Sequence, residues 1–206
     1  MTRAVKNLSS ILRLIFTSSL LVSITNTVQA DGYHYQIQTS AKFLANTTKD
    51  LTAIQLVWTY APNEANQLLA DKDLSAANKE ATLKALGQAM LDDLFELGYY
   101  SQLAIDDQPV LLDKVTEYQV NVGADKSLIL DFILPLKTAT QLSHKRLSFK
   151  LVDPDGVATL SLNNPPQVSL AEALAKSCTA PSVREETLKL PNGHQPSVPT
   201  IQFNCQ

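Results

Sequence analysis

Three consecutive runs carry the fold: Tyr33-His34-Tyr35-Gln36-Ile37-Gln38-Thr39-Ser40-Ala41-Lys42-Phe43, then Asn46-Thr47-Thr48-Lys49-Asp50, then Ile54-Gln55-Leu56-Val57-Trp58-Thr59-Tyr60. In the first, Tyr33, Tyr35, Ile37, Thr39, Ala41 and Phe43 share one face, and His34, Gln36, Gln38, Ser40 and Lys42 share the other. Period two with one wet side is the pattern of a half-buried strand. The second run has the side-chain oxygens of a turn. In the third, Ile54, Leu56, Trp58 and Tyr60 alternate again, so the two runs are expected to pair as an antiparallel hairpin.

Downstream, Pro62 closes the second strand. Asp73 or Ser75 can cap a helix, because an oxygen-bearing side chain satisfies free N–H groups of the first turn. Leu83, Leu86, Gly87, Met90, Leu91, Leu94 and Phe95 follow helical spacing, which predicts an amphipathic helix over 75–97 that stops at Gly98. Strands resume at Leu103 and Ile105, at Tyr118 to Val122, and at Leu128 to Leu134, the most apolar run. Leu147, Phe149 and Leu151 precede Asp153-Pro154-Asp155-Gly156, a turn from which 157–162 is expected to return as a hairpin partner. Six prolines then punctuate 163–206, with a short helix expected around 169–176. Prolines at that density disfavour central strands, so this segment reads as an extension of the domain.

Upstream, Arg3, Lys6 and Arg13 lead a short apolar run at 14–24, and Val28-Gln29-Ala30 offers small residues at cleavage positions. This is the layout of a secretory signal peptide over 1–30. The run is too short to span a bilayer, which takes about 20 apolar residues. The expected product is a soluble protein, periplasmic in a bacterium and not membrane-embedded after cleavage. Cleavage removes three of the 17 Lys and Arg, leaving 14 cations against 20 Asp and Glu, a net charge of −6. That balance argues against nucleic acid as a partner and provides no polybasic membrane anchor. The remaining length suits one domain, 31–162, plus the extension. Cys178 and Cys205 are the only cysteines. In an oxidising compartment the pair points to a structural disulfide, with two free thiols as the alternative.

The order of motifs resembles the domain-of-unknown-function 1007 family of bacterial periplasmic, transport-associated proteins. Val57-Trp58-Thr59-Tyr60 is similar to its Trp-Thr-Phe-Asp-like segment. Leu97-Gly98-Tyr99-Tyr100-Ser101-Gln102 and Asp107-Gln108-Pro109 take the place of its Asn-Tyr-Phe-Thr and Gly-Lys-Pro segments, and Leu151-Val152-Asp153-Pro154 resembles its Val-Tyr-Asp-Pro. The resemblance implies an association with nickel, cobalt or zinc transport and a His-Pro-His start that contacts metal. Here the first histidine and the proline of that start are missing, and His34 remains. The acidic run before the helix is reduced to Asp71-Lys72-Asp73, without the glycine and distal glutamate of a calcium loop.

Two readings of His34 follow. It can join Asp31 and the new α-amine on a divalent zinc, nickel or cobalt ion, or it can be an exposed strand histidine; sites for such ions usually take three or four ligands. His144, beside Lys145 and Arg146, and His194, in a turn, read as solvated. Asp92, Asp93 and Glu96 read as the wet side of the helix, Asp153 and Asp155 as turn carboxylates, and Asp131 as a polar interruption of an apolar strand. Trp58, Tyr60, Tyr99 and Tyr100 read as packing residues that could also line a binding surface. No hydrolase elbow, zinc-protease, redox-cysteine or phosphate-loop motif is present. The sequence thus leads to an α+β, antiparallel β-rich and sandwich-like domain with one long helix and a disulfide-tied extension. The function expected is a non-enzymatic accessory or binding protein for divalent-metal transport, partnered by a membrane metal transporter or an envelope protein. The alternative is an envelope structural or protein-interaction module that binds no metal.

Overall fold

A computed structural model describes residues 35–163 and 167–206. The expected leader, Asp31 and His34 lie outside the described residues. The opening hairpin forms as read: β1 (Tyr35–Ala45) pairs antiparallel with β2 (Leu51–Tyr60), with Ile37 opposite Tyr60 and Phe43 opposite Ile54. Ile37, Thr39, Ala41 and Phe43 are buried, while Gln36, Gln38 and Lys42 are exposed, so side-chain alternation sets the register. The turn is organised by Asn46, whose Oδ1 accepts the backbone N–H groups of Thr48 (3.0 Å) and Asp50 (2.9 Å).

From the hairpin the first sheet grows in both directions. β6 (Leu128–Thr140) pairs with the free side of β2, and β5 (Glu117–Val122) pairs with β6. On the other side, β8 (Ala158–Leu162) and then β9 (Val168–Leu170) run parallel to β1. The second sheet has the order β10 (Ser182–Thr187), β11 (Ser197–Asn204), β7 (Arg146–Leu151), β3 (Ser101–Ile105) and β4 (Gln108–Pro109). Phe43 of the first sheet packs edge-on against Phe149 and Phe203 of the second, at 5.8 and 5.0 Å between ring centroids. The protein is therefore β-rich, with two sheets sharing one core.

Four expectations are corrected. The strand at 157–162 does not return beside β7. It crosses to the first sheet and joins β1, where its buried Ala158 and Leu160 find the core. The 163–206 segment is not an appendage: it supplies β9, β10 and β11, and β11 is a central strand. Pro199 is tolerated there because the β11–β7 ladder begins one residue later, at Thr200 opposite Lys150.

Pro62 does more than end β2. It opens α1 (Pro62–Leu69), at a first-turn position where its fixed φ suits a helix and its missing N–H costs nothing. Finally, the helix expected over 75–97 spans Lys79–Phe95 (α2) and buries Leu83, Gly87, Leu91 and Leu94. Asp73 organises the lead-in and does not cap the helix, taking the Ser75 N–H at 2.9 Å and the Asn78 amide at 2.6 Å. Gly87 lets α2 approach β5 closely, because a Cβ there would stand 2.5 Å from Val120 Cγ2 and 2.8 Å from the Tyr118 ring. Phe95, assigned to the apolar stripe by spacing, is 41% exposed.

Cys178 and Cys205 form a disulfide. It ties the end of β11 to the chain just after α3 (Glu172–Ala175). Reduction is expected to cost about 3.5 kcal/mol, from the chain entropy released to the unfolded state when a loop of this length opens. Denaturant melts with and without reductant measure it, and equal midpoints would show that the bridge contributes nothing. Among the described residues no helix is long and apolar enough to cross a membrane.

Candidate functional site

A cleft of about 210 Å³ opens where the ends of β1 and β2 meet α1 and α2. Its polar lining is Tyr35, Tyr60, Tyr100 and Asp93, and its apolar lining includes Ile37, Met90 and Leu94. Strand alternation puts Tyr35 and Ile37 on the inner face of β1 and Tyr60 on that of β2. Met90, Asp93 and Leu94 stand three and four residues apart, so one face of α2 delivers all of them.

Tyr100 arrives by an unusual backbone. Gly98, Tyr99 and Tyr100 form one left-handed turn, with φ of +60, +53 and +52°. For non-glycine residues this conformation costs about 1–2 kcal/mol each. Both tyrosines are held by packing. Tyr99 is buried, and its Oη accepts the Val115 N–H at 3.0 Å. Tyr100 stacks on fully buried Trp58, at 5.8 Å and 11° between ring planes. One side of the Tyr100 ring thus rests on the core and the residue also lines the cleft.

The phenols around the cleft hold their protons to high pH. Burial pushes the Tyr60 phenol well above its ordinary value of 10, and its neighbours Tyr100 and Tyr35 push it further. Burial raises the Tyr100 phenol to about 12, with the Asp153 and Asp155 carboxylates adding to the shift. Tyr99 is also raised, first by burial. Neutral phenols stabilise the fold up to the ordinary tyrosine value. Above pH 10 the unfolded chain loses these protons first, so stability falls as pH rises towards the folded-state values. In a titration followed at 295 nm, about three of the six tyrosines are expected to ionise late. Tyr60→Phe and Tyr100→Phe should each remove one late step; a titration in which all six ionise together near pH 10 would contradict these surroundings.

The other candidate residues separate in space. Among the described residues no three His, Cys, Asp or Glu side chains come together in a way that could hold a metal ion. His144 sits in the β6–β7 turn with φ +59°, and His194 sits in the β10–β11 loop over Gly156. Asp92 pairs with Lys114 at 2.8 Å, which holds its carboxyl below the usual range. Asp131 accepts both its hydrogen bonds from the Gln55 amide across the first sheet. Asp153 is a buried structural carboxylate that binds three backbone N–H groups. Of the residues singled out in the sequence, Tyr60, Tyr100 and Asp93 meet at the cleft, joined by Tyr35. Asp93 reads as a solvated helix carboxylate from spacing alone. The available signal was its place at the margin of the Met90–Leu94 stripe.

These features define a β-rich, two-sheet domain with a small tyrosine-lined cleft. A family model described as "Protein of unknown function (DUF1007)" matches residues 21–194, and the chain belongs to that family. No curated protein matches the sequence. Among solved structures, the chain is similar to Biomphalaria glabrata acetylcholine-binding protein type 1 (BgAChBP1). The identity is 12% and the TM-score 0.40, over 89% of this chain and 92% of that one.

Proposed function

We propose that this is a periplasmic, non-enzymatic accessory or binding protein connected with divalent-metal transport, delivered by the leader at 1–30 and acting beside a membrane transporter. What supports the reading is the family together with the position of the cleft in the chain. Tyr35, which lines it, directly follows the Asp31–His34 start where relatives carry a His-Pro-His motif. No three described residues form a metal site. A zinc, nickel or cobalt ion would therefore be held by His34, Asp31 and the α-amine freed by cleavage.

Calorimetric titration of the processed protein with each ion tests this directly. Binding tighter than about 100 μM, weakened at least tenfold by His34→Ala, is expected. No binding, or binding indifferent to that substitution, removes the metal from the proposal. The envelope-interaction reading is favoured by a broad open groove of about 800 Å³ between the start of α2 and β5, where Lys79, Glu80, Lys84 and Glu117 alternate in charge. Co-purification of an envelope protein from metal-free extract, lost on charge reversal at Lys84 and Glu117, would support it.

A further inference from the structure

We propose that the tyrosine-lined cleft is a binding site for a compact organic cation with N–H donors, of the primary-ammonium or guanidinium class. The inference is independent of the metal reading and uses only described residues.

Four observations carry it. First, Tyr60 lines the cleft at 5% exposure, and its hydroxyl makes no hydrogen bond among the described residues. Its oxygen is therefore open to a hydrogen-bond donor on an occupant of the cleft. Second, Asp93 stands on the rim with no ion pair or hydrogen bond among the described residues. Among the described residues no Lys, Arg or His shares the lining, and the Asp153 and Asp155 carboxylates also act on Tyr100. An anion would meet repulsion there, whereas a cation would find a counter-charge at Asp93, the one charged side chain of the described lining.

Third, the Tyr100 ring is fixed against Trp58, and a rigid ring in a partly desolvated wall attracts a cation through its quadrupole. Fourth, the volume of about 210 Å³ is below the roughly 300 Å³ at which drug-sized pockets begin, so the occupant is about as large as one amino-acid side chain. Chemistry then narrows the class. A quaternary ammonium has no N–H to give and would leave the Tyr60 oxygen unpaired. An ammonium or guanidinium brings N–H donors for Tyr60 and positive charge for Asp93, both of which line the cleft, with its alkyl part on Ile37, Met90 and Leu94.

Trp58 is the only tryptophan, and its stacking with Tyr100 makes its fluorescence a reporter of the cleft. The processed protein is titrated in EDTA, at constant ionic strength, with butylammonium, butylguanidinium, tetramethylammonium and 1-butanol. N-acetyl-arginine amide forms a further arm, to tell a free cation from one carried on a peptide. A saturable change with Kd below about 1 mM is expected for the N–H cations or the arginine amide, and the tighter of the two identifies the source. Tetramethylammonium should bind at least tenfold more weakly and butanol should not saturate. Asp93→Asn, an exposed change that leaves the fold intact by circular dichroism, should weaken binding at least tenfold. Tyr60→Phe, which keeps the ring, should weaken it several-fold. No saturable response to any N–H cation, butanol binding as tightly as butylammonium, or an unchanged Kd in Asp93→Asn would overturn the proposal. EDTA separates this result from the metal titration, so either reading can fail alone.

Discussion

Asp153→Ala is expected to destabilise the protein by about 4 kcal/mol, although the residue lies in a turn with no regular structure. Its side chain is buried, at 3% exposure. One carboxylate oxygen accepts the Asp155 N–H at 2.9 Å, and the other accepts those of Val157 at 2.9 Å and Ala158 at 2.6 Å. Hydrogen bonds to a charged acceptor are worth about 1.5–3 kcal/mol each, and deleting the acceptor strips three N–H donors of their partner, that of Ala158 in the interior. The turn also has a topological task, because it carries the chain from β7 in one sheet to β8 in the other. Gly156 supports it at φ +70°, and Asn192 donates to the Asp155 carbonyl at 2.9 Å. Asp153→Asn should cost less, since its amide oxygen still accepts but its NH₂ opposes a donor. Asp155→Ala, which keeps the backbone N–H that Asp153 binds and removes only an exposed side chain, should change stability by about 0.5 kcal/mol or less. Urea denaturation followed by circular dichroism gives all three. If Asp153→Ala and Asp155→Ala melt together, the carboxylate is not what holds the crossover.

That residue shows how far the sequence could be read. Asp153-Pro154-Asp155-Gly156 was legible as a turn, and Asp153 as structural, because proline, glycine and aspartate carry local chemistry. The partner that β8 chooses after the turn was not legible. Tyr35 opposite Ala158 and Ile37 opposite Leu160 is a long-range parallel pairing, and the alternation in 157–162 fits either sheet equally well. The same limit applies to β11. Its prolines argue for a loop until the ladder with β7 is seen to begin just past Pro199. The β1–β2 hairpin was legible in full, since its strands are adjacent and its turn is built by its own side chains. The cleft was legible only as separate parts: Tyr60 and Tyr100 as aromatic residues and Asp93 as an acid. The left-handed Tyr99–Tyr100 backbone that brings Tyr100 to the cleft has no propensity signal, because tertiary packing imposes it against the local preference.

Trp58→Ala is expected to have the largest effect of any single substitution, about 5 kcal/mol, lowering the thermal midpoint by roughly 10–20 °C. The indole is fully buried at the centre of the first sheet, stacked on Tyr100 and edge-on to Phe132 at 5.2 Å. Its removal leaves a cavity between the core and the wall of the cleft. Its Nε1–H has no partner in the interior, so packing and not hydrogen bonding is what the residue supplies. Trp58→Phe therefore provides the test. It deletes an unpaired donor together with some volume and should cost only about 1–2 kcal/mol. If Trp58→Phe were as damaging as Trp58→Ala, an indole-specific interaction would have to replace packing as the explanation. The consequence reaches the cleft through Tyr100, whose strained φ of +52° is held by the stack. Without the indole, the ring loses its support and the left-handed turn is free to relax. Cation affinity in the folded Trp58→Phe variant, followed by NMR, should then stay within a fewfold of the parent, while in Trp58→Ala it should fall with the loss of the rigid wall.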